Sequence, residues 1–329
     1  MRIGVIGAGA IGGALAARLD ALGHDVFVTA RGAHLESIRR RGLRLTGRWG
    51  EHTAHVVADE RLRDVPELAI VATKAQDAEA AIVANRAGID GLPVLVIQNG
   101  LDGRATASRL LPAATVLGGI ASYGANIAEP GRIDVTTTGP LLIGGEDAFA
   151  AGRVVDVLAE AAPTQQTADI EGAEWTKLLV NHVNALPAIT GLSIQQTLAD
   201  RRLARVVAVT MREAIDVAYA LGVRFQPVQG LDARNLRLLR RLPLPIATKL
   251  PMRIGRRMGS VPNTGSTLQS IQRGAPTEID YLNGAVVSRG EQAGVPTPVS
   301  RRVVALVHEI EGGRGFLSPA DAARHLLSR

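Results

Sequence analysis

Short apolar runs separated by polar turns dominate the first half of this 329-residue chain. The clearest runs are RIGVI at 2–6, HDVFVTA at 24–30, ELAIVAT at 67–73, LPVLVI at 92–97 and TVLGGIA at 115–121. Unbroken apolar runs of this length are typical of strands buried on both faces of a parallel sheet. Segments with helical periodicity, such as 10–19, follow some of them. The pattern predicts an α/β domain with a parallel sheet.

Longer helical segments replace the short runs from about Gly172 onward. Helices are predicted over 174–189, 195–221, 231–239, 276–292 and 299–312. A stretch rich in proline and glycine precedes the fourth helix and predicts irregular backbone there. We therefore predict an N-terminal α/β domain at 1–167 and an all-α domain at 168–329.

Weaker strand signals lie inside the first domain. Residues 43–45 and 52–57 suggest a strand pair or a connecting segment. Residues 131–138 alternate with period two, and a Gly-Pro turn leads on to 141–144. This pattern predicts a β-hairpin added to the edge of the parallel sheet.

Three glycines follow the first apolar run with the spacing G-x-G-x-x-G. Between a strand and a helix, the first permits a tight turn, the second lets a pyrophosphate approach the backbone, and the third lets helix and strand pack closely. Free N–H groups at the helix start then face the phosphates. The motif predicts a Rossmann-type dinucleotide-binding domain, with candidate cofactor-binding residues Gly7, Ala8, Gly9, Ala10, Ile11 and Gly12.

Two further interpretations of this N-terminal stretch are weaker. A glycine-rich turn in an α/β unit that binds no ligand would have the same spacing. A secretory signal is excluded because glycines interrupt the apolar stretch, Arg18 and Asp20 follow early, and no cleavage site is evident.

The residue after the second strand indicates which nicotinamide cofactor binds. A carboxylate about 20 residues beyond the glycines would bind the ribose hydroxyls of NAD, but this chain has Arg31 there. A planar guanidinium suits the 2′-phosphate of NADPH. We predict NADPH as the cofactor; the alternative is an arginine in a solvated loop.

Polar residues follow two further predicted strands, with Lys74 after 67–73 and Asn99 after 92–97. Ligands of open parallel sheets bind outside the carboxyl ends of the strands. Lys74 and Asn99 are therefore candidates to bind cofactor or substrate, and Ala121, at the end of 115–121, is a further candidate cofactor contact. Each residue taken alone could equally belong to an ordinary turn.

The segment 174–186, EWTKLLVNHVNAL, carries polar residues on one predicted helix face. At about 100° per residue, Lys177 and Asn181 share that face, and Asn184 lies about 20° from the direction of Lys177. Burying an ammonium and two amides costs free energy unless they are paired or functional. A substrate carbonyl and carboxylate are suitable partners, whereas a polar stripe packed on another helix is the alternative. His182 points away from this face and is expected to be structural.

Composition narrows the class of protein further. The chain has no cysteine, which excludes disulfides and fits a cytoplasmic protein. No apolar stretch is long enough to span a membrane. The net charge of +6 is scattered and only nine aromatic residues could stack on bases, so small anionic ligands are expected rather than nucleic acid. No metal site is predicted.

The chain resembles the ketopantoate reductase (2-dehydropantoate 2-reductase) family. The resemblance is carried by GAGAIGG at 7–13, the Arg31-Gly32 pair with His34-Leu35, TK at 73–74, QNG at 98–100, WTKLLVN at 175–181 and TEIDYLNG at 277–284. It implies NADPH-dependent reduction of a 2-keto acid, with ketopantoate to pantoate in pantothenate biosynthesis as the type reaction. A homodimer is a possible assembly.

The resemblance also implies roles for individual residues. The lysine matching Lys177 is the catalytic acid, and residues matching Asn99, Asn181, Ser266 and Glu278 bind or orient the substrate. Lys74 matches a lysine near cofactor and substrate. Glu278 would accept a hydrogen bond from a substrate hydroxyl or tune Lys177, and it is also a candidate cofactor contact. From the residues alone, Thr277 and Glu278 form an ordinary helix start.

Two positions depart from the family pattern. The usual spacing is K-x3-N-x3-N, but here Ala185 occupies the third position and the amide comes one residue early, at Asn184. The acidic residue after the S-x-L-Q stretch is replaced by Ser270. The substrate could therefore be another 2-keto acid. A 3-hydroxyacid or opine-type dehydrogenase and a non-catalytic NADPH-binding protein also fit the residues.

Overall fold

A computed structural model describes residues 1–259 and 262–328 of the chain. The backbone divides into two compact units, residues 1–170 and 171–329. The strands, all in the first unit, are β1 (Arg2–Ile6), β2 (Asp25–Thr29), β3 (Leu43–Gly47), β4 (His52–Ala54), β5 (Val57–Asp59), β6 (Leu68–Val71), β7 (Pro93–Ile97), β8 (Thr115–Ala121), β9 (Gly124–Glu129), β10 (Arg132–Thr137), β11 (Leu141–Gly144) and β12 (Thr164–Gln166).

Helices of the first unit connect these strands. They are α1 (Ala10–Ala21), α2 (Gly32–Arg41), α3 (Ala78–Ile89), α4 (Gly103–Leu110) and α5 (Ala148–Leu158), with a 3₁₀ turn at Ala75–Asp77. The main sheet has eight strands in the order β12-β11-β8-β7-β6-β1-β2-β5. The strands from β8 to β5 in that order are parallel, and β11 is antiparallel to β8. The predicted α/β class with a mainly parallel sheet is confirmed.

A second, four-stranded sheet corrects the predicted edge hairpin. Its order is β4-β3-β10-β9, with β10 parallel to β3 and antiparallel to β9. The alternating segment 131–138 therefore does not extend the main sheet; of the two strands of the predicted hairpin, β11 alone belongs to that sheet. The reason is burial, because Ile133 and Val135 face a core shared with α1 instead of the sheet edge. Of the strand pair or connector suggested at 43–45 and 52–57, the structure has a pair between β3 and β4. Val57 belongs to β5, which pairs with β2 in the main sheet.

The second unit is helical. Its helices are α6 (Ile170–Asn181), α7 (Ala185–Thr190), α8 (Ile194–Ala199), α9 (Arg201–Ala220), α10 (Ala233–Arg241), α11 (Leu244–Ala247), α12 (Lys249–Arg257), α13 (Gly265–Gln272), α14 (Asn283–Ala293), α15 (Pro298–Glu311) and α16 (Pro319–Leu327). Short 3₁₀ turns occupy His182–Asn184 and Ile279–Tyr281. Among the residues that the structure describes, no helix is both long enough and apolar enough to cross a membrane.

Helix α9 is the centre of the second unit, in contact with α8, α10, α12, α14, α15 and α16. Its buried carboxylate, Glu213, accepts hydrogen bonds from the backbone N–H groups of Val299 and Ser300 at 2.8 and 2.7 Å. A carboxylate at a helix N-terminus satisfies N–H groups that have no partner inside the helix. Glu213 thus fixes the start of α15 against α9.

Several predicted helices are divided in the structure. The predicted helix 174–189 is interrupted by the 3₁₀ turn at 182–184, and 195–221 is divided at Asp200. Asp200 ends α8 and caps α9, because its side chain accepts the backbone N–H groups of Arg202 and Leu203. The irregular backbone predicted before 276 was wrong where the described residues form α11, α12 and α13. Pro245 and Pro251 lie in the first turns of α11 and α12, where the N–H group that proline lacks has no partner inside the helix.

Candidate active site

The glycine loop begins where β1 ends. Gly7 has φ of 101°, which side chains rarely adopt, and a Cβ there would lie 2.8 Å from the backbone nitrogen of Thr73. The Gly7 N–H donates to Thr29 Oγ1 at 2.9 Å and the Ala8 N–H to the Thr29 carbonyl at 2.7 Å. The end of β2 thus fixes the loop that follows β1.

Gly9 leaves open space in front of the first N–H groups of α1, and Gly12 lets the helix pack close to β1. A Cβ on Gly9 would meet no atom within 4 Å, and α1 starts there without a side-chain cap or an acidic residue in its first turn. A Cβ on Gly12 would lie 2.3 Å from the Gly7 carbonyl oxygen. Open space in front of helix N–H groups fits a pyrophosphate. Within this segment Ala8 is buried, whereas Ala10 and Ile11 are half-buried.

Arg31 comes just after β2 and precedes α2. Its guanidinium lies 3.7 Å from the carboxylate of Asp77, and the two side chains are 67% and 47% exposed. An ion pair this exposed contributes about 0–1 kcal/mol. A phosphate could therefore compete for the Arg31 guanidinium at little cost in free energy.

His34, which the sequence indicated only through the family resemblance, contacts the glycine loop. Its Nδ1 accepts the Gly131 N–H at 3.0 Å, so Nε2 carries the proton and donates to the Ala8 carbonyl at 2.7 Å. Burial lowers the pKa of His34, which favours this neutral ring. The contacts join residues 26 and 97 positions apart in sequence, and no local pattern could have predicted them.

The segments after β6 and β7 lie side by side. The Gln98 amide donates to the Thr73 carbonyl at 3.0 Å and to Thr73 Oγ1 at 3.1 Å. Because these strands are adjacent in the sheet, Lys74 and Asn99 follow neighbouring strand ends, as predicted from their positions. Ala121 ends β8, the next strand in the sheet, and is half-buried.

Lys177 lies on α6 between buried neighbours, with Trp175 and Leu178 in the core. The side chain is half-buried, and its Nζ donates a hydrogen bond to Oε1 of Gln229 at 3.2 Å. Burial lowers the pKa of Lys177 to about 8. Desolvation is the cause of the lowered pKa of Lys177, and the role of Glu278, as a contact of a substrate hydroxyl or as a group that tunes Lys177, stays a prediction.

The 3₁₀ turn changes the geometry predicted for Asn184. Three 3₁₀ residues advance the chain by about 6 Å through about 360°, whereas four α-helical residues advance about 6 Å through about 400°. Asn184 therefore projects in the same direction as Asn181, about 40° from Lys177 around the helix axis. In an uninterrupted α-helix it would lie about 20° from Lys177 in the opposite sense. Asn181 ends α6 and is buried, and Asn184 is half-buried.

Gly265, the residue before Ser266, lies close to the side chain of Asn184. A Cβ on Gly265, whose φ is 71°, would lie 3.0 Å from Asn184 Oδ1. The Asn263 side chain accepts the Gly265 N–H at 2.9 Å and fixes the turn into α13. The side chain of Ser266 is exposed in the first turn of that helix.

Glu278 is half-buried at the start of the 3₁₀ turn 279–281. A chain of polar contacts fixes the residues on either side of it. The Thr277 N–H donates to Glu311 at 2.8 Å, and the His308 ring lies 2.7 Å from Glu311 and 2.9 Å from Asp280. The hydrogen bond with Asp280 is the main cause that raises the pKa of His308.

His182 is buried in the helical core. Its Nδ1 donates to the Leu178 carbonyl at 2.8 Å, and burial lowers the pKa of His182 to about 4. Its other ring nitrogen, Nε2, is buried with no hydrogen-bond partner among the described residues. A neutral histidine in this environment agrees with the structural role expected for it.

Two family models match most of the chain. They are described as "Ketopantoate reductase PanE/ApbA", at residues 3–147, and "Ketopantoate reductase PanE/ApbA C terminal", at residues 169–311. A 2-dehydropantoate 2-reductase of Mesorhizobium japonicum is 30% identical, over 97% of this chain and 100% of the relative. One of Archaeoglobus fulgidus is 28% identical, over 95% and 98%.

Solved structures share the fold over nearly the whole chain. A PanE/ApbA family ketopantoate reductase from Ralstonia eutropha JMP134 has a TM-score of 0.80 at 28% identity, covering 95% of this chain and 99% of that one. D-mandelate dehydrogenase, solved with NADH and anilino(oxo)acetate, has a TM-score of 0.81 at 22% identity, with 95% and 99% covered. The second likeness is one of fold alone.

Proposed function

Because this chain belongs to the ketopantoate reductase family, we propose that it reduces ketopantoate to pantoate with NADPH, a step of pantothenate biosynthesis. The observation that carries the proposal is Lys177, a half-buried ammonium whose pKa is lowered to about 8 by burial. An amine with a pKa slightly above neutral holds its proton at pH 7 and can release it during a reaction. Lys177 is therefore suited to act as a general acid.

The reaction adds a hydride and a proton, two electrons and two protons in all, to a ketone. When bound, NADPH would supply the hydride that the carbonyl carbon accepts. The Lys177 ammonium donates a hydrogen bond to the carbonyl oxygen, stabilises the negative charge that grows there and transfers its proton to it. Lys177 is left as a neutral amine and takes a proton from water before the next turnover.

The first unit supplies the cofactor-binding residues in this proposal. The open N-terminus of α1 and Gly9 bind the pyrophosphate, and Arg31 binds the 2′-phosphate. Lys74, Asn99 and Ala121, which follow or end neighbouring strands, contact the remainder of the cofactor or the substrate.

The second unit supplies the substrate-binding residues. Asn181, Asn184 and Ser266 would bind the carbonyl and carboxylate of the keto acid. Glu278 would accept a hydrogen bond from its hydroxyl group and contact the cofactor. The shorter spacing to Asn184 is compatible with ketopantoate. The three residues of the 3₁₀ turn rise about as far along the helix axis as the four α-helical residues of the usual spacing.

A 2-keto acid with a different side chain is the second candidate substrate. The serine at Ser270, where the family has an acidic residue, favours it, because loss of a carboxylate changes which polar groups the pocket can bind. Ser270 is buried in α13, which also carries Ser266.

A substrate panel tests the proposal. NADPH oxidation is measured with ketopantoate, pyruvate, 2-oxoisovalerate and phenylglyoxylate under the same conditions. The highest kcat/KM is expected for ketopantoate. A preference for another 2-keto acid would select the second candidate, and no turnover with any of them would overturn the assignment as a reductase.

Assembly and location complete the proposal. We propose a homodimer in the cytoplasm, supported by the family resemblance and by the absence of cysteine. Light scattering coupled to gel filtration tests the assembly, and a mass near 34.5 kDa would contradict the dimer.

A further inference from the structure

A two-residue turn in the second unit presents one side chain to Lys177. The turn links Val228 and Leu231, whose backbone groups exchange two hydrogen bonds of 3.0 Å each. Both flanking side chains are buried, so the turn is fixed to the helical core. Its two central residues, Gln229 and Gly230, have φ of 50° and 81°. Positive φ at both central positions is the geometry of a type I′ turn.

Gln229 is an unusual residue at the first central position. Within 1–259 and 262–328, it is the one residue other than glycine with positive φ. Asparagine, aspartate and glycine are the usual residues in such turns, because they tolerate left-handed backbone. A glutamine held there against its preference indicates that its side chain has a use.

In the structure, the side chain of Gln229 contacts Lys177. Oε1 of Gln229 accepts a hydrogen bond from Lys177 Nζ at 3.2 Å, although the two residues are 52 positions apart in sequence. Lys177 makes no ion pair with the described residues, and desolvation is the cause that lowers its pKa. The amide thus holds a desolvated ammonium without adding a charge beside it.

We infer that Gln229 is a positioning residue for Lys177, holding the ammonium in one orientation through an uncharged acceptor. The inference rests on the proposed role of Lys177 as the proton donor. An orienting hydrogen bond restricts the rotation of the long lysine side chain, which otherwise loses freedom when it meets the substrate.

The neutrality of the acceptor matters as much as its position. A glutamate at residue 229 would place a negative charge beside the ammonium and stabilise the protonated form. The lysine would then release its proton less readily during the reaction. Glutamine supplies the geometry of a carboxylate without that electrostatic cost.

The test uses two variants of Gln229 and the small number of lysines in the chain. Gln229→Glu keeps the acceptor and adds charge, and Gln229→Gly removes the acceptor while suiting the left-handed backbone. The chain has only three lysines, Lys74, Lys177 and Lys249. Their titrations can therefore be followed separately by NMR of the whole protein labelled with ¹³C-lysine, without substrate or cofactor.

The Gln229→Glu variant is expected to raise the pKa of Lys177 by about one pH unit or more, with that of Lys249 unchanged. The descending limb of the profile of kcat/KM against pH moves to higher pH by the same amount. Gln292→Glu, which adds the same charge on the exposed end of α14, is the control and should leave both curves unchanged.

The Gln229→Gly variant is expected to lower kcat about tenfold, with a smaller change in KM. An unchanged Lys177 titration in Gln229→Glu, or wild-type kcat in a folded Gln229→Gly protein, would overturn the inference. The NMR result stands apart from turnover. A shifted titration in a protein that reduces no keto acid would support the contact with Lys177 while rejecting the proposed function.

Discussion

Lys177 combines a positive charge with a half-buried position, and this combination determines how activity should depend on pH. The acid must be protonated before the reaction, and burial lowers its pKa to about 8. We expect kcat/KM to be level below pH 8 and to fall about tenfold per pH unit above it. A steady-state pH profile with a saturating partner substrate measures this. A profile that stays level to pH 10 would contradict the assignment.

Removing the Lys177 ammonium should lower kcat severely. Lys177→Ala is expected to lower kcat by about 10²–10⁴-fold, the contribution of a positioned general acid. Lys249→Ala is the matched control, because Lys249 is an exposed lysine of the same unit outside the proposed site. Near-normal turnover of Lys177→Ala would require another proton donor.

Arg31 is expected to determine the choice between NADPH and NADH. Arg31→Asp replaces a phosphate-binding group by one that repels phosphate and suits ribose hydroxyls. The kcat/KM with NADPH should fall by about 10–100-fold, and that with NADH should fall far less or rise. Arg153→Asp, an exposed change on α5, controls for the altered net charge. Equal losses with both cofactors would count against the role of Arg31.

Local spacing in the sequence was enough to select Arg31 and Lys177 as candidates. It was not enough to select the residues whose contacts hold the glycine loop and Lys177 in place. Arg31 follows a recognisable strand, and Lys177 lies on a recognisable helix face. His34 and Gln229 act through contacts 26 to 97 positions away in sequence. Their importance depends on the folded backbone, including a left-handed turn at a glutamine, which propensity would not favour.

At the scale of elements, two helical glycines should respond in opposite ways to the same substitution. Gly12→Ala places a Cβ 2.3 Å from the Gly7 carbonyl and should displace α1 from β1. Gly88→Ala in α3 meets its nearest atom at 4.0 Å. It should stabilise the protein by about 0.5–1 kcal/mol, because alanine favours helix over glycine.

Chemical denaturation of both variants, with NADPH binding followed by fluorescence, measures these effects. Gly12→Ala should be less stable than the wild type and lose cofactor binding, whereas Gly88→Ala should bind normally. Normal binding by Gly12→Ala would mean that the loop adjusts without cost, contrary to the close approach of α1 to the glycine loop.

The strands were more predictable than the helix boundaries. Strands β1, β2, β6 and β7 are continuous apolar runs because helices cover both faces of the parallel sheet. The second sheet was missed because its alternating strands resemble an exposed hairpin until α1 is seen to cover them. The breaks at 182–184 and Asp200 were missed because the apolar periodicity runs through both.

For the whole molecule, buried histidines should make stability depend on pH. The pKa of His182 is about 4 in the folded protein against about 6.5 when unfolded, so the unfolded chain binds more protons between these values. The stabilising neutral form is fully present above pH 6.5. Stability should therefore fall as pH decreases from 6.5 toward 4, by about 3 kcal/mol from His182.

Urea denaturation at pH 7.5 and pH 5 measures the part of this loss that falls above pH 5, about 2 kcal/mol, with His182→Phe as the variant that cannot titrate. The loss should be smaller in the variant by the contribution of His182. His34 changes stability in the same direction, and His308, whose pKa is raised, in the opposite direction. The comparison between variants removes both. An equal loss in both proteins would show that His182 is solvated in the native state.

The tighter winding at 182–184 affects how relatives of this protein can be recognised. Losing one residue from a helix normally rotates everything beyond it, but here a change of helix type absorbs most of that rotation. A search pattern that counts letters between asparagines would therefore discard chains whose side chains still reach the same depth. A comparison based on the rise along the helix axis between the polar residues, instead of on the number of residues between them, would retain these chains.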